Sequence, residues 1–276
     1  MNVRRNAAVA HGDGTVGKAL DVLDHVSGAG RPVRLVDLQA LCPYPKATLY
    51  RLLQTLTNQG MVAHDPVAQT YAPGLRLVRL AHAAWRQSSL APVAGPHLDD
   101  LAAKLEQTLH LAQLDHGQVL YVDKRNASQP VEMYSQAGKI GPAYCTGVGK
   151  AMLAWLPEND LASVLAQQSW HSYTAATHTN ERTFRSELQV IRSTGYAFDR
   201  EEHEPGIICL ARPILSANGR VLGALSVTGS TATTSLGALE SHAPQLSKTA
   251  DAIASDLENW RFPEVRQTQQ TAKEGH

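Results

Sequence analysis

Apolar residues recur at helical spacing near the start of the chain. In the stretch 45–60, PKATLYRLLQTLTNQG, Leu49, Leu52, Leu53 and Leu56 fall at i, i+3, i+4 and i+7, one apolar stripe of a helix. Ala47, Tyr50, Arg51 and Gln54 point roughly the other way, with Lys46 and Thr48 in the first turn. Pro45 suits a first helical position, because its missing N–H is not needed there, and Gly60 suits the end. Upstream, 15–26 places Val16, Ala19, Leu20, Leu23 and Val26 at helical spacing, with Thr15 as candidate N-cap. Gly28, Gly30 and Pro32 break the chain. The stretch 35–41 then turns Leu35, Leu38 and Leu41 inward, and Cys42-Pro43-Tyr44 leads tightly into residues 45–60. Two short strands, 61–64 and 69–72, flank a turn at Asp65-Pro66.

Helix, loop, short helix, turn, helix, two strands is the order of a winged helix-turn-helix, with the third helix as the one that enters a major groove. Alone, an amphipathic helix is most often a core helix with a solvated face. The order of its neighbours gives it a second reading.

The remainder mixes strands and helices. Residues 74–89 read as a helix with Leu75, Val78, Leu80, Ala81 and Trp85 apolar; Pro92 and Pro96 mark a boundary; 97–108 turns Leu98, Leu101, Ala102 and Leu105 inward. Strands at 109–114 and 118–123 flank a turn at Asp115-His116-Gly117, and 131–134 is a third candidate strand. A glycine-rich loop, 138–149, runs into a helix at 150–156, and 160–168 and 180–195 are helical. Residues 196–199 are extended. Asn218-Gly219 joins 206–215 to 221–228 as a hairpin, and 235–260 reads as one long closing helix. The expected class is α+β: a tail at 1–14, a DNA-binding domain at 15–73, a linker helix at 74–90, a sensor domain at 91–262 and a polar tail at 263–276, both tails disordered.

Composition bounds this picture. With 276 residues, 43% of them hydrophobic, the chain can fill two ordinary cores. Net charge is zero, but residues 1–90 carry ten Lys+Arg against five Asp+Glu, and the rest fifteen against twenty. A basic front and an acidic back fit a nucleic-acid-binding end joined to something else. Three distant cysteines, Cys42, Cys145 and Cys209, give no zinc spacing and read as reduced thiols. No apolar run spans a membrane, so a soluble cytoplasmic protein without a membrane partner is expected.

Four features of the second half bear on chemistry. The loop 138–149 exposes backbone N–H groups before a helix, which favours an anion such as a carboxylate. It is not a phosphate-binding P-loop, because Gly149-Lys150 is followed by Ala151. The run Asp199-Arg200-Glu201-Glu202-His203-Glu204 reads as a solvated loop from which Asp199 alone points inward. Cys209 is a small strand residue, more often a buried hydrophobe than a ligand contact. Ser226 and Thr228, two apart, share a strand face, and inward hydroxyls need partners. No catalytic motif appears, neither GxSxG nor HExxH nor a dinucleotide fingerprint, and His171, His178 and His203 match no tight metal spacing. No enzyme, catalytic residue, metal or cofactor is expected. The other classes left open are a cysteine-dependent enzyme through Cys145 or Cys209 and a sensor module acting on a protein partner without DNA.

The stretches PKATLYRLLQTLTNQGMVAHD and QTYAPGLRLVRLA, with the later pattern from YCTGVGKAMLAWLP to EEHEPGIICLARPI, resemble the IclR family of bacterial transcriptional regulators over nearly the whole chain. The family usually has a glycine before the DNA-reading helix, where this chain has Cys42-Pro43-Tyr44. The resemblance implies a C-terminal GAF-like curved sheet with a ligand pocket. It implies contacts to a small carboxylate effector from Ala143, Tyr144 and Cys145 in the loop and from Asp199, Cys209, Ser226 and Thr228 on strands. It also implies a homodimer or dimer of dimers, a homotetramer, on double-stranded operator DNA. The contacts would come from Lys46, Ala47, Thr48, Tyr50, Arg51 and Gln54, with His64 and Gln69 on the wing. The texture of the second half is closer to the KdgR-like, sugar-acid branch than to aromatic-acid regulators, and repression of a catabolic operon is the expected role.

Overall fold

The computed structural model describes residues 14–87, 90–128 and 132–259. The expectations of disorder for the chain ends lie outside these residues, Gly14 excepted. The chain divides into two compact units after Gln87.

The first unit runs α1 (Gly14–Gly28), β1 (Val33–Arg34), α2 (Leu35–Leu41), α3 (Lys46–Asn58), β2 (Val62–Asp65), β3 (Thr70–Pro73) and α4 (Leu75–Gln87). The leucine stripe does what its spacing predicts: Leu49, Leu52, Leu53 and Leu56 are buried, against Val22, Leu23, Val26, Leu38 and Tyr71. Pro45 caps α3, and Gly60 leaves it at φ +70°, a left-handed conformation that glycine adopts without strain. Strand β1 was not legible, because a two-residue edge has no period; it pairs Val33 with Tyr71 in a sheet ordered β1-β3-β2. Val16, Leu20 and Leu41, expected inward, are at least half exposed, since only the stripe through Val22, Leu23 and Val26 faces α3. Of the apolar residues expected on the fourth helix, Leu75, Val78 and Leu80 are exposed, and the side chain of Trp85 is outside the description.

The second unit contains α5 (Leu90–Leu105), β4 (Thr108–Asp115), β5 (Gln118–Arg125), β6 (Ile140–Gly141), α6 (Gly147–Leu153), α7 (Glu158–Ala166), α8 (Glu181–Thr194), β7 (Ala197–Arg200), β8 (Ile207–Leu215), β9 (Val221–Ser230), α9 (Leu236–Glu240) and α10 (Ala243–Asn259). The sheet is antiparallel throughout, ordered β6-β5-β4-β9-β8-β7. Its two faces differ in side-chain size. Leu109, Leu111, Ile208, Leu210, Leu225 and Val227 pack under α5 and α10. The other face carries Ala112, Ala197, Ala211 and Ala224, and there α6 lies close, every one of its residues buried.

Four expectations are corrected here. Pro92 and Pro96 do not end a domain; both lie within α5, Pro92 in the first turn where no N–H is needed. Residues 132–134 form no strand, and the sixth strand is Ile140–Gly141, inside the stretch read as loop. Helix α6 starts at Gly147, not at residue 150, because its glycines serve close packing: a Cβ on Gly147 would collide with Cys209 Sγ, and one on Gly149 with the Ala143 carbonyl. The closing helix is two, since Pro244 is accommodated only in the first turn of a new helix, α10, after the break at Ser241-His242.

Candidate effector site and nucleic-acid interface

Register across the sheet builds the site. Asp199 pairs with Cys209, Cys209 with Thr228, and Thr228 with Thr108, one row across four strands. The next row on the same face pairs Ser226 with His110. Above these rows, Thr146, Gly147 and Val148 close the side toward α6, and Met133, Ser135, His203 and Glu204 close the rest. The enclosed cavity is small, about 30 Å³, room for roughly two waters.

The polar groups around it form a connected set. Thr228 Oγ1 lies 3.1 Å and Ser226 Oγ 3.4 Å from His110 Nδ1, and Ser135 Oγ lies 2.7 Å from His110 Nε2. Burial pushes the His110 pKa down to about 3, and the Lys124 charge adds to it, so the ring is neutral and offers one donor and one acceptor. Asp199 is pushed the other way, up to about 7, by burial first and the Glu202 carboxylate second. The Glu202 N–H donates to its Oδ1 at 2.8 Å, which opposes the rise without cancelling it. Cys209 is buried in the same row, its thiol held protonated chiefly by burial, so it is a neutral wall and not a nucleophile.

Of the expected effector contacts, Asp199, Cys209, Ser226 and Thr228 line the cavity; Ala143, Tyr144 and Cys145 are buried but do not. The Tyr144 hydroxyl instead donates to the His171 carbonyl at 2.8 Å, and the lining stretch begins one residue later, at Thr146. The charged run is no solvated loop with one inward residue. Glu202 is 2% exposed, and His203 and Glu204 reach the cavity wall.

In the first unit the α3 face holds Lys46, Ala47, Tyr50, Arg51 and Gln54 exposed and Thr48 half-buried. On the wing, Asp65 Oδ1 accepts from the N–H groups of Val67 and Ala68, Gln69 at φ +53° donates to the Pro66 carbonyl, and His64 stacks on Tyr71 at 4.7 Å. A basic and polar helix face beside a short ordered wing can read a duplex through phosphates and base edges.

The family model for the IclR helix-turn-helix domain matches residues 15–66, and that for the bacterial transcriptional regulator IclR C-terminal matches residues 82–255. The chain belongs to the IclR family. The transcriptional regulator XynR of Escherichia coli is 30% identical over 88% of this chain and 96% of its own length. The regulator KdgR of the same organism is 28% identical over 86% and 90%. Among solved structures, the Thermotoga maritima IclR is 29% identical, covers 88% of this chain and 98% of its own, and superposes with a TM-score of 0.71. The protein is thus a DNA-binding transcriptional regulator with a C-terminal domain of the GAF-like, curled-sheet type. Among the described residues no helix is long and apolar enough to cross a membrane.

Three groups in this IclR-family chain escaped the sequence reading. His110 looked like any strand histidine, and only its pairing with Ser226 reveals it. Ser135 lies just past the stretch read as a strand, 131–134, and before the loop at 138–149, in no element that the sequence marks. Lys150, noted only for excluding a P-loop, is fully buried and donates to Glu202 Oε1 at 2.5 Å and Glu187 Oε1 at 3.2 Å. His178, Glu187 and Glu202 have ligand atoms within 4.8 Å of one another, a spacing that suits a metal ion, but the Lys150 ammonium already holds both carboxylates. Nothing in the sequence marks these charges as partners; a lysine in a GVGK run gives no sign of burial.

Proposed function

We propose that this regulator is a repressor released by a small hydroxylated carboxylate of the sugar-acid class, bound in the cavity between α6 and the sheet. One observation carries the reading: nine of the fourteen lining residues, Tyr121 among them, have polar or charged side chains, donors and acceptors both. The neutral His110, Ser226, Thr228 and Ser135 can donate to a carboxylate, while Asp199 and Glu204 can accept from ligand hydroxyls. Asp199 already accepts from the Glu202 N–H and Glu204 from the Tyr134 N–H, and their remaining lone pairs can accept from several sugar hydroxyls, which an unsubstituted aromatic acid does not offer. Two relatives named above, XynR and KdgR, are regulators of the same family, which agrees with a role in transcription control but does not name the acid. The cavity as it stands, about 30 Å³, is too small for a sugar acid, so the acid must bind a wider form, and it changes DNA affinity to the extent that it prefers that form.

On the DNA side we infer that Lys46 and Arg51 meet phosphates or guanine edges. Thr48, Tyr50 and Gln54 would face bases, with Ala47 packed against them and His64 and Gln69 on backbone or minor groove. A single α3 is too small a reader for tight specific binding, so paired half-sites bound by a dimer or dimer of dimers complete the picture. The test is a mobility shift on the DNA upstream of the chain's own gene and its neighbours, titrated with D-gluconate, D-galacturonate, benzoate and 4-hydroxybenzoate. Release by a sugar acid alone supports the proposal. Release by an aromatic acid alone overturns the effector class, and no shift at low salt with any fragment overturns the operator reading.

A further inference from the structure

The two walls of the effector cavity are joined at a point that never touches it. One wall is the start of α6, with Thr146, Gly147 and Val148 on the cavity and Lys150 pointing away into the interior. The other is the end of β7 with the turn after it: Asp199 on the strand and His203 and Glu204 on the turn line the cavity, and Glu202 does not. Lys150 and Glu202 meet behind both walls, with side chains 0% and 3% exposed and 2.5 Å between Nζ and Oε1. The turn is fastened from two more directions. The Glu202 carbonyl accepts from Thr177 Oγ1 at 2.6 Å, and the Glu202 N–H donates to Asp199 at 2.8 Å. The second carboxylate on Lys150, Glu187 of α8, is also held by Arg200 at 3.0 Å.

We propose that Lys150 and Glu202 are a buried clasp that sets the separation of the two cavity walls, and so act as positioning residues for effector recognition without touching the effector. The physical case has three parts. A pair this buried is held in one geometry, because moving Lys150 away leaves the Glu202 carboxylate desolvated, and moving Glu202 away leaves the buried ammonium with the longer Glu187 contact alone. Its two ends stand two residues beyond Val148 and one residue before His203, so no flexible spacer lies between clasp and cavity. And Glu202 fixes Asp199 through its own N–H, so a shift of Glu202 moves the central carboxylate of the site. Replacing a buried ion pair by apolar side chains of similar volume is often neutral or stabilising, so net stability is a weak reason for its presence. The inference rests on the effector reading for the word effector only; the clasp itself is tested without a ligand.

The reporter is Cys209, which lines the cavity, with Cys42 in the core of the first unit as an internal control. In the full-length double variant Lys150→Met, Glu202→Met, apolar side chains of similar length replace both charges, and Glu187 keeps Arg200. Alkylation of each cysteine by iodoacetamide is followed by mass spectrometry, and overall stability by thermal unfolding. The expected result is a Cys209 rate at least tenfold above the parent, with Cys42 unchanged. With the unfolding temperature also that of the parent, the wall opens locally and not by unfolding of the second unit, which Cys42 in the first unit does not report. A Cys209 rate raised only together with a lowered unfolding temperature reduces the pair to a general stabiliser and overturns the proposal, as does an unchanged Cys209 rate. Should the double variant fail to fold, Glu202→Gln keeps the shape and the N–H bond to Asp199 while weakening the hold on Lys150. It is expected to raise the Cys209 rate at least threefold with Cys42 unchanged, and an unchanged rate overturns the clasp. Failure of every acid to bind the parent would sink the effector reading and leave this result standing.

Discussion

His110 Nε2 lies 2.7 Å from Ser135 Oγ, although the two are 25 residues apart in the chain. The contact ties β4 to the segment that closes the cavity, and it holds an imidazole that burial keeps neutral down to about pH 3. Asp199, also on the cavity wall, is held neutral up to about pH 7. The two shifts act on stability with opposite sign. Lowering His110 from 6.5 to about 3 contributes stability that is present above pH 6.5 and lost as pH falls toward 3. Raising Asp199 from 3.8 to about 7 contributes stability that is present below pH 3.8 and lost as pH rises to 7. Between about pH 4 and 6.5 they offset. Relative to the parent, His110→Gln should therefore gain stability as pH falls through this window, and Asp199→Asn should lose it. Urea unfolding at half-unit pH steps checks the sign, and parallel curves for the three proteins would refute both shifts.

Anion affinity should follow the same carboxyl. Ionised above about pH 7, Asp199 repels a bound carboxylate; neutral below, it can donate to one. Calorimetric affinity for the acid that releases DNA should fall about tenfold per unit as pH rises beyond 7, and Asp199→Asn should flatten that slope while leaving ligand-free DNA binding as it was. A slope that persists in the variant assigns the titration elsewhere.

The α6 glycines should rank by what a methyl group meets. At Gly147 it meets Cys209 Sγ, a side-chain tip that can move; at Gly149 it meets the Ala143 carbonyl and Cα, which cannot. Gly147→Ala should destabilise by about 1–3 kcal/mol, and Gly149→Ala by the upper end of that range or more. Adding Cys209→Ala should restore much of the first loss and none of the second. Thermal unfolding of the four proteins decides it, and recovery of both would mean that α6 moves as a body.

Arg51→Ala should weaken operator binding by about 1–3 kcal/mol if the guanidinium reads a guanine, with little change on random DNA. A uniform loss on both, with the salt slope reduced by about one, would make it a phosphate contact. Because α3 packs through Leu49, Leu52, Leu53 and Leu56 on the opposite face, the melting temperature should stay that of the parent.

What the sequence determined by itself is the part governed by neighbours along the chain. Four leucines at helical spacing between Pro45 and Gly60 place α3, and its burial follows that stripe residue by residue. Asn218-Gly219 places the β8–β9 hairpin, and the spacing of Ser226 and Thr228 puts both on one face. Those signals are local free energies, and a short window contains them whole. The site depended on terms no window contains. Register, a sum over long strands, brings Ser226 opposite His110, 116 residues away. Desolvation decides that Glu202 leaves a run of charges for the interior, because Lys150, 52 residues away, arrives there to meet it. Close packing, not loop flexibility, fixes two glycines: Gly147 against Cys209 of the sheet, and Gly149 against the Ala143 backbone of the segment before α6. Chain-local chemistry chose the elements; the sheet, by pairing distant strands and excluding water, chose which polar groups share the cavity.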